Sequence, residues 1–188
     1  MINIDLADCT SLIEFYKRIT QGQISAHGTD YCRVHQAIEY ALQPGDKRYV
    51  ELGVNQGATL AAAMTIQGGL RSCHAYDINL ENFEPHRHLF ERRADKNNLL
   101  FEVKERSSHD RGIVRECDVL YIDTVHKWTH VSVELQNWSG SVAETIIIHD
   151  TNSRQDIRQG IDSWVKRAPW HVKEHNTQSV GYTILERT

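Results

Sequence analysis

The stretch Tyr49-Val50-Glu51-Leu52-Gly53-Val54-Asn55-Gln56-Gly57 decides the fold. Its first four residues form a short strand-like run, Gly53 and Gly57 permit a tight turn, and alanine-rich Ala58 to Gln67 follows as a helix closed by Gly68-Gly69. Strand, turn and helix in immediate succession make up the repeating unit of a parallel sheet with crossover helices. Glycine lets the backbone approach a ligand without a Cβ clash, and the first N–H groups of the helix lack partners inside it. Ligands of such sheets sit beyond the carboxyl ends of the strands, so a ligand is expected at this loop.

The same alternation continues outward from the loop. Strands are expected at Tyr49–Leu52, Cys73–Tyr76, Leu99–Val103, Val119–Ile122, Thr145–Ile148, His171–Lys173 and Tyr182–Leu185. Upstream, Ser11-Leu12-Ile13-Glu14 fits a capping box, with Leu12, Phe15, Tyr16 and Ile19 at helical spacing before Gly22 ends the run. Val34, Ile38 and Leu42 mark a second helix that stops at Pro44-Gly45. Downstream, Trp128, Val131, Leu135 and Trp138 form one apolar helix face. Ser153 and Asp156 open another helix, whose Ile157, Ile161, Trp164 and Val165 point inward before Pro169. The fold class is therefore α/β: a Rossmann-like, doubly wound, seven-stranded and mostly parallel sheet with an N-terminal helical extension. One domain is expected over residues 1–188, with helices in 1–46 and the cofactor-binding and catalytic core in 47–188.

Composition narrows the class of function. The chain has 188 residues, 40% hydrophobic and 24% charged, and no apolar run of the roughly 20 residues that a membrane helix needs. Met1 to Asp8 carries acidic residues and no secretory pattern, so a cytoplasmic location and no membrane partner are expected. The four cysteines, Cys9, Cys32, Cys73 and Cys117, lie too far apart for a zinc knuckle and read as reduced packing residues. A net charge of −4 without a Lys/Arg-dense stretch argues against a nucleic-acid partner and for a small-molecule substrate. The eleven histidines are scattered, and packing or solvation accounts for most of them.

The acidic residue in the loop bears on the ligand. A dinucleotide site sets a pyrophosphate against the helix start, where a carboxylate such as Glu51 would be poorly placed. A cation suits it better, and S-adenosylmethionine carries a sulfonium and an ammonium but no phosphate. At Glu51, Gly53 and Gly57 the chain resembles the class I S-adenosylmethionine-dependent methyltransferases, whose first motif is an acidic residue, one residue, Gly, three residues, Gly. Asn55 and Gln56 complete the loop's contact with the cofactor in that resemblance. Asp77 ends the next strand twenty residues after Gly57, where a carboxylate accepts both ribose hydroxyls, with Asn79 as its neighbour. Glu105-Arg106-Ser107 lies where such enzymes contact adenine, and Ser107 is the candidate there.

Two later strands end in chemistry-bearing residues. Asp118 to Ile122 runs into Asp123 and, three residues on, His126; Ile146 to Ile148 runs into His149-Asp150-Thr151-Asn152. The two segments resemble those of small methyltransferases that include sugar and macrolide O-methyltransferases and cephalosporin-hydroxylase-like proteins, a match from Arg48 to Asn152 over about half of the chain. The resemblance implies methylation of a hydroxyl on a sugar or natural-product scaffold. That chemistry calls for a base of near-neutral pKa, assigned to His126, and is helped by a divalent cation that lowers the hydroxyl pKa. Asp123 and Asp150 offer hard oxygen ligands for magnesium, Asn152 is the third candidate, and Asp123 also faces the cofactor. His149 packs or hydrogen-bonds. Trp128 belongs either to the core or to the acceptor pocket; His27, Tyr31 and the Gln23–Asp30 stretch form either a lid or a plain connection. The rival readings are an NAD(P)-dependent oxidoreductase, which would want G-x-G-x-x-G here, and a cofactor-binding subunit without catalysis. The amphipathic N-terminal helices could also pack between subunits of a homo-oligomer.

Overall fold

The computed structural model describes residues 4–66 and 69–188. Strands β1 (Lys47–Leu52), β2 (Leu70–Asp77), β3 (Leu100–Glu105), β4 (Cys117–Ile122), β5 (Val142–His149), β6 (Trp170–Asn176) and β7 (Tyr182–Arg187) form one sheet in the order β3-β2-β1-β4-β5-β7-β6. The first five strands in that order pair in parallel, whereas β7 runs antiparallel to both β5 and β6. All seven expected strands are present, with ends shifted by no more than three residues. Strand order reverses between β1 and β4, and the carboxyl ends of these two strands flank the crevice where an open sheet takes its ligand.

Strand parity divides the core in two. Tyr49, Val119, Tyr121 and Ile147 join one apolar cluster with α1 (Leu12–His27), α2 (Arg33–Ala41), α3 (Ala58–Thr65) and α4 (Arg87–Asn97). Val50, Leu52, Leu120, Ile122, Ile146 and Ile148 join the other with α5 (Trp128–Trp138) and α6 (Gln155–Trp164). The central strands are apolar on both faces because helices cover both, as a parallel sheet requires. Fully buried Tyr49, Tyr121 and Trp138 anchor these layers, and burial of a large apolar side chain contributes about 1.5–3 kcal/mol. Parity also places Glu51, Asp123 and His149 on the α1–α3 face, two residues beyond Tyr49, Tyr121 and Ile147.

Several local expectations are corrected. Gly22 does not end α1, which runs on to His27 and stops at Gly28 with φ +85; a Cβ at Gly22 would collide with the Ile4 side chain, so this glycine admits a close neighbour rather than a break. Asp156 does not cap its own helix. It accepts a 2.9 Å hydrogen bond from the Trp128 N–H at the start of α5, while the Ser153 hydroxyl donates to the Asp150 carbonyl. Helix α4 was not foreseen, because only Leu89, Phe90 and Ala94 of its charge-rich sequence are buried. The expected helix end at Gln67 and Gly68 lies outside the described residues. All four cysteines are buried and free, and no described helix is long and apolar enough to cross a membrane.

Helix α6 meets α5 at Gly160, where a Cβ would overlap the Trp128 ring. Alanine exceeds glycine in helix propensity by about 1 kcal/mol, but overpacking of a filled site costs about 1–3 kcal/mol. Gly160→Ala is therefore expected to lower the urea midpoint of unfolding. A raised midpoint would show that the contact is loose.

Candidate active site

The glycine loop is built by backbone contact. Gly53 holds φ +90, and a Cβ there would collide with the Asp123 carbonyl; the Gly53 N–H donates to the Tyr76 carbonyl at 2.8 Å and the Asp123 N–H to the Leu52 carbonyl at 2.8 Å. The ends of β2, β1 and β4 are thereby laced together. Gly57, at φ +87, caps α3, and its missing side chain leaves room for the Phe83 and Phe90 rings. Asp77 fixes the middle of the loop: its Oδ2 accepts the N–H groups of Val54 at 2.7 Å and Asn55 at 3.1 Å. The Asn55 side-chain oxygen in turn accepts from Asn82 Nδ2 at 3.0 Å.

Beside this loop lies a cavity of about 310 Å³, the size of a small-molecule site. Gly53, Asn55, Gln56, Asp77, Asp123, His126 and Asp150 line it as expected, so the structure brings together most of the residues singled out in the sequence. Gln23 and Tyr31 from the lid candidates also reach it, together with Val34 and His35 of α2. His27 stacks on the Tyr31 ring, centroids 4.5 Å apart, behind the cavity wall. His35 was missed by the sequence reading, although it adjoins Val34 on the apolar side of its helix. It lies 3.2 Å from the Tyr16 hydroxyl, and burial pushes its pKa down to about 4, leaving a neutral imidazole.

Glu51 departs from its expected role. It is fully buried and does not line the cavity; its carboxyl accepts hydrogen bonds from the Tyr49 hydroxyl and from the Thr59 hydroxyl, each at 2.7 Å. Burial pushes its pKa up to about 8, against the pull of those two donors. At neutral pH it is an uncharged acid that ties β1 to α3, and it presents no charge to a ligand.

The ends of β4 and β5 meet in a cluster of two carboxylates and two imidazoles. His126 lies between the acids, with Nδ1 2.7 Å from Asp150 Oδ2 and Nε2 3.1 Å from Asp123 Oδ1. The Tyr121 hydroxyl donates to Asp123 Oδ2 at 3.2 Å. His149 Nδ1 is also 3.2 Å from that oxygen, but without the angle of a hydrogen bond. Asp150 holds its side chain here from a backbone φ of +59, a region that non-glycine residues rarely occupy. The hydrogen bonds to Asp123 and Asp150 outweigh burial and raise the His126 pKa to about 10. Burial opposes ionisation of Asp123, yet His149 and His126 hold its carboxyl far below the usual range. Burial likewise opposes charge on His149, and Asp123 reverses it, so that pKa rises. The near-neutral base expected of His126 is therefore corrected: between two carboxylates it is an imidazolium.

Other expected residues stand elsewhere. Asn152 donates from Nδ2 to the carbonyls of Thr177 and Ser179, both at 2.9 Å, and so pins the turn between β6 and β7 instead of joining Asp123 and Asp150. The third group beside the two carboxylates is His126, with ligand atoms of all three within 4.8 Å of one another. Asn79 is exposed, its N–H bound to Asp77 Oδ1 at 3.1 Å, and Ser107 is exposed with its hydroxyl accepting the His109 N–H at 3.2 Å. Neither lines the cavity, and Trp128 packs on α6 in the core.

The raised Glu51 pKa has a consequence for stability. A carboxyl whose pKa rises on folding binds more protons folded than unfolded, so its contribution falls as pH increases from the unfolded value near 4.5 to about 8. Glu51→Gln keeps the shape without the titration. The stability difference between variant and wild type, followed by urea unfolding from pH 5 to 8.5, is expected to shift steadily in favour of the variant. Parallel pH profiles would contradict the assignment.

Neither a protein-family model nor a curated protein sequence matches the chain. Solved structures do match in fold. The S-adenosylhomocysteine-bound methyltransferase PaMTH1 from Podospora anserina superposes with a TM-score of 0.62 at 11% identity, over 96% of this chain and 88% of that one. N-methyltransferase NodS from Bradyrhizobium japonicum, in complex with S-adenosylhomocysteine, gives 0.57 at 11% identity over 84% and 87%. The ribosomal protein L11 methylase from Lactobacillus delbrueckii subsp. bulgaricus gives 0.61 at 12% identity over 85% and 79%. The chain has the fold of the class I S-adenosylmethionine-dependent methyltransferases.

Proposed function

We propose that the chain binds S-adenosylmethionine and transfers its methyl group to a hydroxyl of a small molecule. The observation that carries this is the charge of the cavity. Asp77, Asp123 and Asp150 line it, and no lysine or arginine does. A pyrophosphate would add negative charge beside three carboxylates that the His126 imidazolium offsets only in part, whereas a sulfonium and an ammonium complement them. The neighbours PaMTH1 and NodS hold S-adenosylhomocysteine, which supports the same cofactor here. Asp77, beside the loop and on the cavity, is the candidate for the ribose hydroxyls.

The acceptor reading rests on the lid and the charge. Tyr31, Val34 and His35 line the cavity, which is of small-molecule size, and a net charge of −4 with no lysine or arginine at the site opposes a phosphate backbone. For methyl transfer the hydroxyl must be held in line with the methyl carbon and must lose its proton. Within the Asp123–His126–Asp150 array that proton passes to the neutral form of the His126 imidazole, a form the two carboxylates make scarce below a pKa of about 10. Asp123 and Asp150 also fit a divalent cation, which would displace the His126 proton and take that imidazole in the place expected of Asn152. A cation bound there would polarise the acceptor oxygen.

Calorimetry with S-adenosylmethionine, S-adenosylhomocysteine and NAD tests the cofactor. Both methionine derivatives are expected to bind and NAD to fail; NAD binding alone would favour the oxidoreductase reading. Asp77→Asn is expected to weaken S-adenosylmethionine by roughly 1.5–3 kcal/mol, about ten- to a hundredfold, since it removes a charged acceptor. Incubation with methyl-labelled cofactor and separate small-molecule, RNA and protein fractions tests the acceptor. Label in RNA or protein alone would overturn the small-molecule reading.

A further inference from the structure

We propose that His109, His130 and Glu134 form a zinc site outside the cavity. His130 and Glu134 stand one turn apart on α5, so their side chains share a face. His109, in the loop after β3, brings its ring to 3.9 Å from that of His130, centroid to centroid. One ligand atom from each of the three lies within 4.8 Å of the others. His130 Nε2 and Glu134 Oε1 are already 3.2 Å apart. A tetrahedral zinc with bonds of about 2.0–2.1 Å sets its ligands roughly 3.3 Å from one another, so this pair has the chelating separation, and the Ser108 hydroxyl, 3.4 Å from His130 Nε2, would yield that nitrogen to the ion.

The second observation is an unsatisfied carboxyl oxygen. Glu134 is fully buried, its Oε1 accepts a 2.7 Å hydrogen bond from the Thr124 hydroxyl, and its Oε2 is buried with no hydrogen-bond partner. Among the described ion pairs, Glu134 meets no lysine or arginine, only His130. A buried carboxyl is costly to ionise without a cation, and a metal ion held with two imidazoles beside it would supply that cation. His109 Nε2 lies 3.3 Å from the His130 carbonyl, and Thr124 orients the carboxylate; both are supports of the kind that hold ligands in place. Two imidazoles and one carboxylate favour zinc over magnesium, with water in the fourth position. The ion would staple the loop after β3 to α5, where Trp138 Nε1 already donates to the Ser108 carbonyl at 3.0 Å and Asn137 Nδ2 to the His109 carbonyl at 3.3 Å.

The test is zinc binding by the metal-free full chain, measured by calorimetry and elemental analysis, with Asp150→Asn separating this site from the one at the cavity. One zinc is expected to remain in Asp150→Asn and to be lost, or weakened at least tenfold, in His130→Gln and in His109→Asn. Zinc should raise the melting temperature of the wild type but not of those two variants. His109→Asn alters only a loop residue and guards against a helix defect in His130→Gln. Cobalt in the Asp150→Asn chain should give the intense absorption of a tetrahedral ion. Equal zinc affinity in His109→Asn and wild type, loss of all zinc in Asp150→Asn, or a weak octahedral cobalt spectrum would each overturn the site and leave a hydrogen-bonded histidine–glutamate cluster.

Discussion

Everything at the site depends on how closely the backbone at Gly53 approaches the backbone at Asp123. There is no room for even a methyl group between them. That contact makes one cavity out of two strand ends, the glycine loop after β1 and the acid-bearing loop after β4. A side chain at Gly53 would push the loops apart and would also be forced into a φ that L residues avoid. Asp77 then sets the loop from the other side through two backbone N–H groups. Backbone contacts and the Asp77 carboxylate fix the loop, and Asp77, Asp123 and Asp150 all line the cavity it borders.

Electrostatics follows from burial. On the β1 side, Glu51 sits among apolar groups with only hydroxyl donors and is pushed toward the neutral acid. On the β4–β5 side, Asp123 is half-buried at the cavity wall with two imidazoles beside it, and it is held ionised. Two carboxyls on the same face of the sheet thus diverge because one has cationic partners and the other does not. The preference for a cationic ligand first suggested by Glu51 survives, but it is carried by Asp77, Asp123 and Asp150.

Much of this was legible in the sequence because it rests on short-range rules. Strands announced themselves by β-branched runs ending in glycine or aspartate, and the residues just past those ends, Gly53, Asp77, Asp123 and Asp150, line the cavity as the topology requires. What was not legible depends on contacts between distant segments. Asn152 looked like a ligand by its place after Asp150, but the turn before β7, about 25 residues away, takes its amide. Asp156 matched a capping pattern and caps a different helix. Gly22 looked like a helix end, and its purpose is to admit Ile4. His35 gave no motif, because its part in the cavity comes from how α2 lies over the sheet. The His126 pKa differs from the expected one because both carboxylates bear on one ring: Asp123, three residues away, lies 3.1 Å from Nε2, and Asp150 lies 2.7 Å from Nδ1.

The central claim is that the cavity beside Gly53 and Asp77 holds the adenosyl cofactor of a methyltransferase. A crystal structure grown with S-adenosylhomocysteine tests it most directly. The account predicts the nucleoside within the cavity, ribose against Asp77 and the thioether sulfur turned toward Asp123, His126 and Asp150. The compound bound elsewhere, or an empty cavity at saturating concentration, would contradict it.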